Sequence, residues 1–311
     1  MNNSKKSIKE TLKKSGKYLR EISVVVIGVA ITLSASYWLG VKKEKRDMAL
    51  HLRAIKMELQ ENAGDLFSLE KNLKRQCRYS SYLKSHDKES LDKDTLSSYA
   101  SLCYAPPFNV TFKTNAFEMF RNSGTMRLMD DKELLREIWN VYDNFAILKE
   151  LINEHNRLKL NFIEKEISLF DVDRGKIEFN SIPMYDFYKK TNVSNRLLEL
   201  SEIVYKNVHE LYLKLVIEEL KTSKLKTYPV TDEELDKYTG VYSCDLITEK
   251  LIITKENKQI FIQLTGQMPV PFFATAKDRF EYESNILEFN PTEKTIMAKT
   301  NGMTFIFVKE E

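Results

Sequence analysis

The sequence predicts an α plus β multidomain protein: one transmembrane helix, a helical bundle, then a small antiparallel β-barrel-like or sandwich module. Three observations carry that reading. A run of twenty residues, Ile22–Val41, holds no charge; apolar residues then recur at helical spacing to about residue 221; and from about Thr231 short β-branched and aromatic segments alternate. At 311 residues the chain exceeds one ordinary core, which seldom grows past roughly 250 residues. The divisions that follow are a basic segment over 1–21, a transmembrane helix over 22–41, a helical stalk and bundle over 42–230, and an antiparallel β accessory module over 231–311.

Composition bounds the function before any motif does. The chain is 42% hydrophobic and 30% charged with a net charge of only +3, the signs interspersed, which is globular rather than disordered. It lacks the concentrated basic face that nucleic acid needs, so no nucleic-acid partner is expected. Cys77, Cys103 and Cys244 form no CxxC and no zinc-type spacing, so no metal and no cofactor are expected.

The apolar run reads ISVVVIGVAITLSASYWLGV. A helix of about 20 residues spans the ~30 Å hydrocarbon core, and Tyr37 and Trp38 stand where amphipathic rings favour the headgroups. Ser34-Ala35-Ser36 offers small residues to a signal peptidase. The run continues through Leu39, longer than an h-region of about 7–15 residues, which favours an uncleaved signal anchor. Seven basic residues precede the run and six follow it between Lys42 and Lys56, a narrow vote for an N-terminus inside. The expected location is the bacterial inner membrane, single-pass, with the C-terminal body extracytoplasmic. Expected partners are membrane lipid, another envelope protein, or a second copy through helical seams.

Leu52, Ile55, Leu59, Ala63, Leu66, Leu69 and Leu73 recur every three or four positions, so the first helix is expected to continue as a stalk. A second seam, Leu134, Ile138, Val141, Phe145, Leu148, Ile152 and His155, steps by four and three, with Asp130 or Asp131 to cap its start. A third helix is read from Ser194 to about Lys221. Pro106-Pro107, Asn122-Ser123-Gly124 and the stretch around Pro183 interrupt these helices. Glu21, Val25-Val26-Ile27-Gly28-Val29, Trp38, the basic stretch that follows, Leu52 to Leu59, and Phe117-Glu118-Met119-Phe120 before Ser123-Gly124 resemble an uncharacterised family of bacterial single-pass membrane proteins. That resemblance implies topology and no chemistry.

Eight strands are read beyond Thr231: Gly240–Cys244, Lys250–Thr254, Gln259–Leu264, Val270–Phe273, Arg279–Tyr282, Ile286–Phe289, Thr295–Lys299 and Met303–Val308. Asn301-Gly302 suits a type I′ hairpin. Leu235, Tyr238-Thr239-Gly240-Val241-Tyr242, Leu264-Thr265-Gly266-Gln267, the Phe272–Phe280 stretch, Phe289 and Asn301-Gly302 resemble the small β domain appended C-terminally to serine hydrolases of the penicillin-binding and β-lactamase-like type. In those proteins catalysis lies in the other domain, so the resemblance implies an accessory module. Tyr238, Gly240, Tyr242, Thr265, Gly266 and Gln267 are the candidate ligand surface, against the simpler reading that they pack and turn a barrel end.

Fragments of hydrolase motifs occur: Ser81-Tyr82-Leu83-Lys84 fits SxxK, Tyr142-Asp143-Asn144 fits the tyrosine-x-asparagine element, and Lys299-Thr300-Asn301 nearly fits KTG. SxxK recurs at Ser68 and Ser223, as a lysine-rich chain would produce, so no catalytic residue is assigned. Among His51, His86, His155 and His209 there is no HExxH, and His155 continues an apolar seam, the mark of a hydrogen-bonded core histidine. Cys77 and Cys103 flank an expected helical hairpin that folds back at Ser85-His86-Asp87, which makes them a candidate disulfide in an oxidising compartment. The reading is therefore a membrane-anchored, non-enzymatic binding or scaffold protein; the alternatives are a serine hydrolase-like enzyme and a cytoplasm-facing membrane adaptor.

Overall fold

The computed structural model describes residues 2–167, 182, 184–222, 227–256 and 259–310, with side chains from residue 31 onward except at 166, 167, 221 and 222. Pro183, Ser223 and the turn at Asn257-Lys258 lie outside the described residues, as do the side chains of the basic segment and of Ile22–Ala30.

α1 (Asn2–Ser85) is one unbroken helix, and no proline occurs along it. The chain reverses at Ser85–Asp87, as the hairpin reading expected, into α2 (Lys93–Cys103), where the Asp92 carboxylate accepts from the Thr95 amide at 2.7 Å. An extended arm over 105–114 leads to α3 (Asn115–Asn122), and Gly124, at φ 74°, turns the chain toward α4 (Lys132–Ile167). Asp131 caps α4 by accepting from the Leu134 amide at 2.9 Å. α5 (Tyr185–Lys190) and α6 (Val193–Thr222) complete the bundle.

The seam from Leu134 to His155 is buried throughout, against the Ile55-to-Leu73 stripe of α1 and the Leu197-to-Leu215 side of α6. Those apolar faces pack against one another within one chain. Two asparagines hold the arm by copying a strand partner. Asn62 accepts from the Lys113 amide at 2.8 Å and donates to its carbonyl at 2.9 Å; Asn156 does the same for Phe108 at 3.0 and 2.8 Å.

α7 (Asp232–Asp236) opens with a capping box between Thr231 and Glu234. The strands follow: β1 (Gly240–Cys244), β2 (Ile247–Glu256), β3 (Gln259–Leu264), β4 (Val270–Ala276), β5 (Arg279–Tyr282), β6 (Asn285–Asn290), β7 (Thr295–Thr300) and β8 (Met303–Lys309). They pair antiparallel in sequence order, and β8 returns to β1 through Tyr242–Lys309 and Ser243–Val308, closing a barrel rather than a sandwich. Asn301 and Gly302, at φ 48° and 79°, make the β7–β8 turn as a type I′ hairpin requires. The interior is filled by residues such as Leu251, Ile260, Phe280 and Ile296, in one core continuous with the bundle.

The membrane reading is corrected. Among the described residues no helix is long and apolar enough to cross a membrane. The side-chain-described part of the expected span, positions 31 to 41, would cover about 16 Å, roughly half of a ~30 Å hydrocarbon core. The transmembrane helix at Ile22–Val41, the single-pass signal anchor and the inner-membrane location are withdrawn. The reason for a membrane-lipid partner goes with them.

Candidate functional site

In an up-and-down barrel the turns alternate between two ends, and here the ends differ in chemistry. At one end lie the β3–β4 turn, Thr265–Gln267, and the β5–β6 turn at Glu283, both against α1. A Cβ on Gly266 would stand 3.4 Å from the Phe67 ring. The Thr265 amide and hydroxyl both donate to the Lys250 carbonyl, and the Gln267 carbonyl accepts from the Gln263 side chain at 2.8 Å, so this turn is satisfied locally.

Beside it Lys56 is buried, only 1% exposed, with Nζ 2.6 Å from both Glu219 Oε2 and Glu283 Oε1 and 3.2 Å from Tyr282 Oη. Tyr212 Oη lies 3.0 Å from Tyr282 Oη and extends the network across α6. Burial alone would lower the Lys56 pKa, but hydrogen bonds to Glu219 and Glu283 outweigh it and hold the ammonium above its usual value. Glu283, at φ 54°, sits in the left-handed region, which places its carboxylate within reach of Lys56. This junction fastens α1, α6 and the barrel together.

The opposite end carries the start of β1, the β6–β7 turn and the end of β8. A cleft of about 390 Å³ opens there. Its floor is Tyr238, Tyr242 and Phe289, all buried. Tyr238 donates to Asp278 Oδ1 at 2.5 Å and packs against the Phe280 and Phe289 rings at 5.3 and 4.5 Å. Tyr242 donates to the Tyr238 carbonyl at 2.8 Å, and burial pushes its phenol up to about 12. Burial raises Tyr238 as well, so both phenols stay protonated at neutral pH.

Gly240 explains itself by what lies above it. A Cβ there would stand 2.6 Å from Lys309 Cε, and its φ is 140°, so the glycine lets the Lys309 stem cross the start of β1. Lys309 Nζ then lies 5.7 Å from the Tyr242 ring centroid and donates to the Lys237 carbonyl at 3.4 Å. Lys237 and Lys294 line the same cleft.

Of the six residues the sequence offered as one surface, Tyr238, Gly240 and Tyr242 therefore belong to the cleft end. Thr265, Gly266 and Gln267 belong to the helix-packed end, because odd and even turns of the barrel face opposite ways. The three lysines were not read from the sequence. In a chain with 48 basic residues a lysine carries no signal until closure brings β8 beside β1.

The hydrolase fragments stand apart. Ser81 is four residues from the C-terminal end of α1 rather than at the start of a helix, and its companion Lys84 donates to Asn192 at 2.8 Å. Tyr142, on α4, donates to the buried Glu58 carboxylate at 2.5 Å; Lys299, on β7, binds Glu288 at 2.8 Å. Glu58 also accepts the Ala116 amide at 2.8 Å, so its role in the structure is to anchor the first turn of α3. No disulfide joins Cys77 to Cys103, since both carry thiols; burial pushes Cys77 up to about 11 and keeps it protonated.

Among the described residues no three His, Cys, Asp or Glu side chains are grouped to hold a metal ion. His155 is fully buried, with Nε2 3.0 Å from Gln76 Oε1 and 3.2 Å from Ser194 Oγ. Burial and the nearby Lys159 ammonium hold its pKa down at about 4. No family model matches the chain, and comparison with curated proteins and with solved structures returns no match.

Proposed function

We propose that the protein is a non-enzymatic binding protein in which a helical scaffold holds a β-barrel by one end and presents the other. The observation that carries this is the asymmetry of the barrel. One end is fastened through buried Lys56 to α6 and α1, while the far end has an apolar-floored cleft whose rim is exposed. A filled barrel interior leaves the mouth as the place for a ligand, and about 390 Å³ falls at the low end of the roughly 300–1,000 Å³ range of small-molecule sites.

A binding role is also favoured over a catalytic one by the residues in hand. Ser81, Tyr142 and Lys299 sit on α1, α4 and β7 with different partners, and the cleft tyrosines are held protonated. The likeness of residues 231–311 to an accessory β module points the same way. A fluorophosphonate probe is the test: it should leave the purified chain unlabelled. Stoichiometric labelling that disappears in Ser81→Ala would overturn the reading in favour of a hydrolase.

A further inference from the structure

The cleft end differs from the rest of the barrel in how its cations are compensated. On the barrel wall Lys250 pairs with Glu310 at 2.9 Å, Lys255 with Asp236 at 2.7 Å, Arg279 with Glu281 and Glu288 at 2.7 and 3.0 Å, and Lys299 with Glu288 at 2.8 Å. Lys237, Lys294 and Lys309 line one cleft, yet none of the three makes an ion pair among the described residues. Several of the acids nearby are engaged elsewhere, while Glu293, beside Lys294 in the β6–β7 turn, makes no ion pair among the described residues. Glu310, which also lines the cleft, is the partner of Lys250, Glu234 closes the Thr231 capping box, and Asp278 accepts from Tyr238. Lys277, in the adjoining β4–β5 turn of the same end, likewise has no ion pair among the described residues.

Resting on the binding reading above, we propose that this cleft takes a small organic anion: a phosphate or carboxylate held by Lys237, Lys294 and Lys309, attached to a flat apolar body that lies on Tyr238, Tyr242 and Phe289. Each half of the site selects one half of the ligand. Three ammonium groups lining one cleft repel one another, and a bound anion relieves that repulsion while accepting charge-assisted hydrogen bonds. The aromatic floor removes a ring or short chain from water but offers a bare inorganic anion nothing. Gly240 is a positioning residue, because it leaves room for the Lys309 stem to reach over Tyr242.

The test is a titration of the full chain with phenyl phosphate, inorganic phosphate and benzyl alcohol, followed through the aromatic NMR signals of Tyr238, Tyr242 and Phe289. Phenyl phosphate should move those signals and bind at least about tenfold more tightly than either other probe. Lys294→Gln and Lys309→Gln should each weaken it roughly 3- to 10-fold and the triple variant with Lys237→Gln should abolish it, while Lys299→Gln, outside the cleft, should leave it unchanged. Lys294 is exposed on a turn, so its variant carries the test even if Lys309→Gln disturbs the barrel. Benzyl alcohol binding as tightly as phenyl phosphate would overturn the anion assignment and leave the binding reading standing. Inorganic phosphate binding as tightly would remove the apolar body. Silence from the cleft signals with all three probes would overturn the site and the binding reading together.

Discussion

The two ends of the barrel place lysines in opposite situations. At the helix-packed end Lys56 is removed from water but has two carboxylates and a phenol around it. At the cleft end three lysines keep access to solvent and make no ion pair among the described residues. A cation that serves the fold is buried with its counter-charges, because desolvation without them would cost several kcal/mol. A cation that serves a ligand leaves the place of the counter-charge open. The comparison separates stability from binding, and it can be broken from either side.

The largest expected effect lies at the junction. Glu219→Gln with Glu283→Gln leaves the Lys56 ammonium buried with only neutral partners and should cost about 3–5 kcal/mol in urea unfolding of the full chain. A loss under about 1 kcal/mol would mean that Lys56 escapes to water in the variant and that the junction is dispensable.

The bundle interior sharpens the comparison with a cation of a third kind. Lys159 is buried on carbonyls alone, donating to Leu102 and Ala105 at 3.3 and 3.0 Å, and burial lowers its pKa. His155 next to it is held neutral, its pKa down at about 4 from an ordinary 6.5. Its folded-state pKa is depressed, so the stability it contributes is fully present above about 6.5, declines as pH falls toward 4 and is level below that. The gap corresponds to roughly 3 kcal/mol. Urea melts of the native chain and His155→Gln between pH 7 and 4 should show that extra slope in the native chain alone; parallel profiles would contradict it.

Glu58→Gln should have a smaller effect, about 2 kcal/mol, because an amide can still accept from Ala116 but loses the charge that shortens the Tyr142 bond. Thermal unfolding measures it, and an unchanged midpoint would show that Glu58 contributes nothing to holding α3. The smallest effect belongs to the cleft. Replacing Lys237 and Lys294 together by glutamine should alter stability by no more than about 0.5 kcal/mol, since neither makes an ion pair among the described residues. A marked loss would make them structural cations.

Much of this architecture was legible because it follows from local periods. The eight strands, the fold-back after Ser85, the Asp131 cap and the Asn301-Gly302 turn each depend on a few neighbouring residues. What was not legible depends on closure over long separations. Lys56 and Glu283 lie 227 positions apart, and neither carries a pattern that would announce the other. The Thr265–Gln267 turn was grouped with Tyr238 because both are glycine-punctuated and near tyrosines or strand ends, whereas strand alternation sends them to opposite ends. The length of the uncharged run and its terminal Tyr37 and Trp38 suggest a membrane span, and among the described residues no helix supplies one. The Cys77–Cys103 disulfide depended on that same export argument, and both residues carry thiols.

The most direct measurement is amide hydrogen exchange on the full-length Lys56→Met protein, read together with its affinity for phenyl phosphate. If one barrel end serves the fold and the other the ligand, protection should fall at residues 50–60, 212–220 and the Glu283 turn, while β8 and the Pro291–Lys294 turn exchange as before and the affinity is unchanged within about twofold. A loss of affinity that tracks the loss of junction protection would contradict the account, because it would show that the two ends do a single job.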